Sequence, residues 1–425
     1  AGVSLSDKNV VFRVLVDDRA WTGNHYGSFD YYSFKFSIGR KYEKTTISSN
    51  LGSYSHCYPL YGQIEMLCLR NAYCEASTIT QLYEELKGLS KVSEFDELGL
   101  LKKVDVHTCG QTILSNTYDY KKRGSSSKYI SKQVSKETIK CGATTITRSY
   151  ESDALGNITK ITDSTFGSHE YEYDFRGFLV KADNETYSYD SNGNMTKKGS
   201  ITLTYDSVIK DRLTSFNGTT IEYDSANPLN PKRYGSNSYT FEGRRLTRLT
   251  YSGGYYEYSY NDQGQRIQKK DYRAVKWDYT YDGNRLIRET SMNGKLDFLY
   301  DEYGSLYGFI KDDDEKFFYI RDRLQNILGI INISGQIVVK YNCDAWGNHE
   351  VLDGNGNKNT SETFIGNINP IRYKEYYYDK ESNMYYCQSR YYVPEWCQWL
   401  NADSIGCLEI DRLDGLNLFA YCGND

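Results

Sequence analysis

A Tyr-Asp phrase that returns at short, even intervals constrains this chain more than any other feature. Tyr173-Asp174-Phe175-Arg176-Gly177, Tyr189-Asp190-Ser191-Asn192-Gly193 and Tyr300-Asp301-Glu302-Tyr303-Gly304 share the pattern Tyr-Asp-x-x-Gly. Looser copies start at Phe95, Tyr260, Tyr281 and Tyr341, and 43 of the 425 residues are tyrosine. Neighbouring clear copies lie roughly 16 to 20 residues apart, near the range of stacked supersecondary units. A chain written this way is an array before it is anything else.

The phrase reads as a strand running into a turn. Ahead of the Asp, tyrosines alternate with small or polar residues, as in Tyr171/Tyr173, Tyr187/Tyr189, Tyr256/Tyr258/Tyr260 and Tyr279/Tyr281. Period-two alternation puts these rings on one face of a sheet, where aromatics suit a half-buried pleated surface. Asp and Asn offer acceptors to nearby backbone, and Gly supplies the positive φ of a tight turn. The residues that follow, Met195-Thr196-Lys197 or Arg285-Leu286-Ile287-Arg288, read as the returning strand. Each unit is one hairpin, and hairpins must pair edge to edge to cover the ring face. The tyrosines at 173, 189, 260 and 281 are expected to be partly buried on one common face.

Composition agrees with a thin wall rather than one thick core. Hydrophobic residues are 39% and mean hydropathy is -0.68, while aromatics reach 15%; tyrosine buries a ring and keeps its hydroxyl on water or a partner. Five prolines in the whole chain suit central strands, which Pro would interrupt. The net charge of -5 is well mixed. Without a basic stripe, Lys121-Lys122-Arg123 reads as a solvated loop, and nucleic acid is not an expected partner. No apolar run reaches the roughly 18 residues of a membrane span. The start, Ala1-Gly2-Val3-Ser4, has no secretory-signal pattern, and both ends read as cut from a longer polypeptide.

Ten cysteines occur without any Cys-x-x-Cys pair, so buried free thiols are expected, with disulfides open outside the cell and no metal or cofactor. Asp353-Gly354-Asn355-Gly356-Asn357 resembles the opening of a calcium loop, but Lys358 and Phe364 stand where Gly and Glu are required, so it reads as a turn. Three regions follow. Residues 1–90 are less regular, with strands near 10–16 and 31–38 and a short helix near 78–89, where Leu82, Leu86 and Leu89 share a face. Residues 91–350 hold the repeats, and 351–425 form a distinct C-terminal region.

That last region carries the most specific phrases. Asn369-Pro370-Ile371-Arg372-Tyr373 is followed by Tyr377-Tyr378-Asp379-Lys380-Glu381-Ser382-Asn383-Met384-Tyr385-Tyr386 and by Arg390-Tyr391-Tyr392-Val393-Pro394. Asn401-Ala402-Asp403-Ser404-Ile405-Gly406 and Asn417-Leu418-Phe419-Ala420-Tyr421 complete the series. Together with the repeats these resemble the Rhs/YD-repeat family and its repeat-associated core region, over about three-quarters of the chain and outside its first 90 residues. The resemblance implies an all-β fold: a spiral antiparallel sheet of YD hairpins forming the wall of a hollow shell, of which this chain is a section. In polymorphic toxins and toxin complexes such shells enclose a C-terminal toxin, whereas the related teneurins use a similar shell in cell-surface adhesion.

The implied partners are therefore the chain's own C-terminal toxin segment and an N-terminal shell portion or delivery component, and the implied location is secreted or cell-surface. An adhesion protein without cargo is the alternative, and a glycan-binding or glycan-processing wall a weaker one. Bacterial members of the family release the toxin by autoproteolysis, with two aspartates in successive Asp-Pro-x-Gly phrases sharing one proton. Asp403 occupies the first position and the second would lie past Asp425; Asp414 does not match the motif. The chain as it stands is expected not to be an enzyme, with Asp403 either half of a dyad or a loop carboxylate capping backbone amides. Asn383 for the turn Gly, Val393 for Asp, Cys397-Gln398 for Gly-Arg and Ser404 for Pro depart from the family phrase.

Overall fold

The computed structural model describes residues 89–108, 111–122, 130–301, 303–404, 406 and 417–424, and the backbone of strands within 1–88. The helix expected near 78–89 and Asp414 lie outside the described residues. The fold is nearly all β. Among the described residues, 26 strands between Ser90 and Asp353 follow one another in antiparallel order, and the α-helix is confined to Ile365–Ile368.

Two compact units divide the chain. The first comprises Ala1–Thr117 and Leu299–Tyr307. Here Val10–Val16 pairs with Tyr32–Ser37, the two early strands expected from alternation, and Ser90–Phe95 pairs with Leu101–Thr108. The loop at Asp301 is pinned by Lys91, whose buried ammonium lies 2.6 Å from the Asp301 carboxylate. The second unit, Tyr118–Phe298 with Gly308–Asp425, holds the clearest hairpins and the whole C-terminal region.

In this second unit a single loop chemistry recurs. At Asp174 the backbone N–H bonds Phe178 O, and the N–H of Gly177 returns to Asp174 O. Meanwhile Asp174 Oδ1 accepts the N–H groups of Arg176 and Phe178. Asp190, Asp322, Asp344 and Asp353 repeat the two side-chain bonds to residues two and four positions on, as does Asp301 in the first unit. One carboxylate thus satisfies amides that a loop would otherwise leave unpaired. The fourth residue sits in the left-handed region, at φ +90° for Gly177 and +88° for Gly347. At Gly347 a Cβ would also meet the Tyr373 ring at 2.7 Å, so glycine is required there twice over. The opposite ends of the hairpins use two-residue turns, as between Ala182 and Glu185 or Phe216 and Thr219. Tyr281-Asp282-Gly283 is one of these: Asp282 pairs directly with Arg285, so this copy of the phrase is a tight turn and not an Asp-capped loop.

The tyrosine before the Asp has a second duty. At each repeat the register slips by one residue: Tyr173 opposes Leu179, Tyr189 opposes Met195, Tyr205 opposes Leu213 and Tyr260 opposes Arg266. Such a bulge disrupts the local ladder. In each case the carbonyl at the slip accepts the hydroxyl of the next repeat's tyrosine: Tyr189 to Leu179 at 2.8 Å, Tyr205 to Met195 at 2.9 Å, Tyr223 to Leu213 at 2.7 Å and Tyr281 to Arg266 at 3.1 Å. Tyr173 and Tyr260 make the same bond to Ile158 and Leu246. The four tyrosines singled out from the sequence are all half-buried, and each ties its hairpin to the one before. Their alternate neighbours Tyr187, Tyr258 and Tyr279 are fully buried, while Glu172, Ser188, Thr204 and Ser259 point to the solvated face.

Replacing Tyr189 or Tyr205 by Phe keeps the ring and strands one buried carbonyl. We expect each to lower unfolding free energy by about 1 kcal/mol, read from urea midpoints at unchanged m-value; an unaltered midpoint would show the hydroxyl ladder to be dispensable.

Candidate functional site

The C-terminal region lies across the tyrosine face of the second unit. Its own small sheet, Tyr377–Asp379, Met384–Tyr386, Tyr391–Val393 and Gln398–Trp399, is almost wholly buried. Wall rings meet region rings in pairs: Tyr234 with Trp396, Tyr258 with Tyr391 and Tyr279 with Tyr377. Polar side chains stitch the edges, Asn401 Nδ2 donating to Arg244 O at 3.1 Å and Asn417 Nδ2 to Asn194 Oδ1 at 2.8 Å. In this stretch the tyrosine face, read from sequence as a semi-wet wall, is covered by the chain itself.

Arg266 is the centre of that contact. It opens the strand Arg266–Asp271 and is 1% exposed. Its guanidinium grips Asp379 with both arms, Nη1 to Oδ2 at 2.5 Å and Nη2 to Oδ1 at 3.1 Å. Nη1 also donates to Tyr391 Oη at 3.0 Å. Rings of Tyr386, Tyr279 and Tyr377 surround it at 4.3 to 4.9 Å from the guanidinium carbon, a cation–π setting. Even its backbone is used: its N–H donates to Tyr386 Oη at 2.8 Å, and its carbonyl takes the Tyr281 hydroxyl. Lys269, three residues on, reaches Asp379 at 3.1 Å and Glu381 at 3.0 Å. Burial pushes the Asp379 carboxyl upward, but Arg266 and Lys269 outweigh it and hold it below its ordinary value.

A second anchor is uncharged. His349 is half-buried beside Arg372, and the burial of its ring together with that guanidinium pushes it down to about 3. The neutral ring accepts from Arg372 Nη1 through Nε2, and its Nδ1–H points to Tyr385 Oη at 3.0 Å. Tyr385 in turn donates to Gly347 O at 2.9 Å.

Asp403 sits between two arginines. Arg390 Nη2 lies 2.6 Å from Oδ2, and Arg244 Nη1 donates to Oδ1 at 3.1 Å. The N–H of Ser404 donates to Oδ1 at 2.7 Å, a bond that the family's proline could not make. The carboxylate is 24% exposed. Two guanidiniums pair with it and hold it in place. As expected of a loop carboxylate it bonds a backbone amide, though its two cationic partners were not foreseen.

The sequence model of the teneurin YD shell matches residues 25–425. The chain belongs to the teneurin YD-shell family. That match begins well before residue 91, where the motif-based resemblance starts. Curated relatives include the tRNA3(Ser)-specific nuclease WapA of Bacillus spizizenii and the tRNA nuclease WapA of Bacillus subtilis. Each is 32% identical over 224 residues, which cover 51% of this chain and only 9% of the relative. Among solved structures, the Tc holotoxin pore of Photorhabdus luminescens matches with a TM-score of 0.55 at 14% identity, covering 92% of this chain and 23% of that one. The TcdB2-TccC3 crystal structure matches at 0.52 and 15%, covering 94% and 23%. These likenesses establish the shell fold, and the chain spans about a quarter of those structures.

The departures from the family phrase are accommodated in this YD shell. Asn383 takes φ +55° and Cys397 φ +58°, both left-handed. Val393 and Cys397 are buried, and burial pushes the Cys397 thiol up to about 12, as it pushes Cys141 to about 11. Both thiols behave as the small apolar groups expected of them. The Arg266 cluster was missed from the sequence because a basic residue in a strand reads as solvent-facing. Only its place directly opposite the bulged Tyr260 distinguishes it.

Asp379→Leu removes the anion that Arg266 was built around. We expect a loss of about 3–5 kcal/mol in unfolding free energy, since a buried guanidinium is left with its pairing broken. The double change Arg266→Met with Asp379→Leu is expected to recover much of it. Equal losses in the single and double variants would show that packing, not charge, sets the cost.

Proposed function

We propose that this YD-shell segment is housing rather than catalyst: a wall section that encloses a toxin segment encoded beyond it, in a secreted or surface-delivered protein. The single observation that carries the reading is the family match over residues 25–425, in a chain whose hairpins are tied in series and sealed on one face by the C-terminal region. A wall of this construction suits containment, because its polar loops and tight turns offer backbone already satisfied internally, with little left to bind a passing chain. The relatives named as tRNA nucleases, far longer than the stretch they share with this chain, support a toxic cargo lying elsewhere in the polypeptide. Asp403 is proposed as one half of a cleavage dyad in the longer protein, held by Arg244 and Arg390 until a second carboxylate is brought beside it.

The test uses the extended gene. Limited proteolysis should leave the region following Asp425 protected while the shell is intact and digest it once the shell is denatured. Intact mass should show release of a C-terminal fragment, abolished in Asp403→Asn. A downstream region digested as fast in the native as in the denatured protein would overturn containment and favour a surface-adhesion role. Cleavage surviving Asp403→Asn would remove this residue from the chemistry.

A further inference from the structure

Away from the docking site, three neighbouring strands place Glu137, Arg148 and Asp163 directly opposite one another across the sheet. Glu137 is 0% exposed and Arg148 3%. The guanidinium is committed to the far side, with Nη1 on Asp163 Oδ2 at 2.6 Å and Nη2 3.8 Å from Asp322 Oδ2. Glu137 is left with the Tyr150 hydroxyl, which donates to Oε2 at 3.0 Å and itself accepts from Arg148 Nε at 3.2 Å. Its Oε1 has no hydrogen-bond partner among the described residues. Three buried carboxylates therefore surround one buried guanidinium.

Two of the three are tied to the backbone of their own loops. Asp163 Oδ1 accepts the amides of Thr165 and Phe166, and Asp322 Oδ1 those of Leu324 and Asn326. Only Glu137 is placed to carry a proton. The other groups around it do not alter this count. Tyr118 and Tyr120 pack beside Tyr150 from the strand Gln111–Lys122, and burial drives Tyr118 and Tyr150 far above their ordinary value, so both stay neutral. Arg321 is paired with Glu375, and Arg323 lies on the exposed side of its loop. Arg148 and Asp322 also line a cavity of about 360 Å³ that runs between the hairpins at 152–179 and the loops at 322–346, which gives water a route to the cluster.

We propose that the Glu137 cluster is a proton-operated latch in the wall, holding the seam of strands Ile130–Cys141, Thr144–Ser152 and Ile158–Asp163 closed while Glu137 is protonated and loosening it when the carboxylate ionises. Burial first, then the Asp322 charge, raises Glu137 from 4.5 to about 7. A carboxyl raised in the folded state contributes stability that is complete below pH 4.5 and is lost as pH climbs through about 7. The wall is thus firmest in mild acid and easier to part at neutral pH and above, independently of what it encloses.

Global melting would blur this, because His349 is held neutral in the fold and has the opposite dependence, losing stability as pH falls below 6.5. Local hydrogen exchange separates the two. In the wild-type chain, with the intrinsic pH dependence of exchange removed, opening of peptides covering 130–152 should rise about tenfold per pH unit from pH 5 to 7 and level off above. Peptides covering 344–373 should not share that rise. Glu137→Gln, which keeps an acceptor for Tyr150 but cannot ionise, should flatten the profile. Tyr150→Phe, which takes away the donor favouring the ionised form, should move the rise to higher pH. A flat wild-type profile across 130–152, or an unchanged rise in a folded Glu137→Gln, would overturn the latch.

Discussion

The structure rests on a repeated mismatch: one residue too many in every second strand from Ile158–Asp163 to Arg285–Ser291. Each bulge turns the chain and takes a carbonyl out of the regular ladder, and an unpaired buried carbonyl costs about 1–3 kcal/mol. The tyrosine hydroxyl of the following repeat meets that demand, as Tyr189 does for Leu179 and Tyr205 for Met195. This explains why the recurring residue is tyrosine rather than phenylalanine. The ring covers the sheet face while the oxygen completes the neighbour's backbone. The aspartate that follows answers the same requirement at the loop, where one carboxylate serves two amides.

Against this frame of satisfied backbone, the C-terminal region is held by something different in kind. Arg266 and Asp379 are both out of water, and a buried pair of this sort contributes less to net stability than its short distances suggest, because desolvation opposes the attraction. Its strength is selectivity. A two-armed guanidinium grip walled by the rings of Tyr279, Tyr377 and Tyr386 accepts one register of the segment 377–391 and penalises others. Arg266 also receives the Tyr281 hydroxyl on its carbonyl, so the ladder between hairpins and the clamp on the C-terminal region converge on a single residue. The wall and the region that covers its tyrosine face are mechanically one object at that point.

Much of this could be read from residues alone, for reasons that differ by element. The hairpin period and the face carried by Tyr173, Tyr189, Tyr260 and Tyr281 were legible because alternation is local. The ordered phrases from Asn369 to Tyr421 were legible because several matches in sequence are hard to obtain by chance. The loops at Asp153, Asp322 and Asn332 were missed because their signal is spaced differently, by a partner four residues on. Asp153, Asp190, Asp322, Asp344 and Asp353 each have Asn four residues later, whose amide bonds the aspartate's second oxygen. Asn261 and Asn332 pair with Gln four residues later in the opposite sense, each Asn Nδ2 donating to the Gln Oε1. An Asp/Asn-x-x-x-Asn/Gln search finds these loops even at Asp322, where Gln325 stands in the glycine position at φ +67°. Conversely Asp282-Gly283 satisfied the phrase and not the geometry, since its flanking residues pair directly. Arg266, Glu137 and the two arginines at Asp403 were invisible for a physical reason: their meaning lies in partners 11 to 159 positions away.

The hydroxyl ladder has a direction. From Tyr173 to Tyr223, and again at Tyr260 and Tyr281, a hairpin completes an earlier one with the same donor and acceptor, while Phe241 stands in the tyrosine position without a hydroxyl. A hairpin is therefore interchangeable with its neighbours so far as the backbone is concerned. Genetic duplication or loss of a whole unit keeps these pairs, and because bonded partners lie from 10 to 15 residues apart, the turns between them absorb differences in unit length. Walls of this type can change in extent by counting units, a quantity that evolution adjusts in discrete steps.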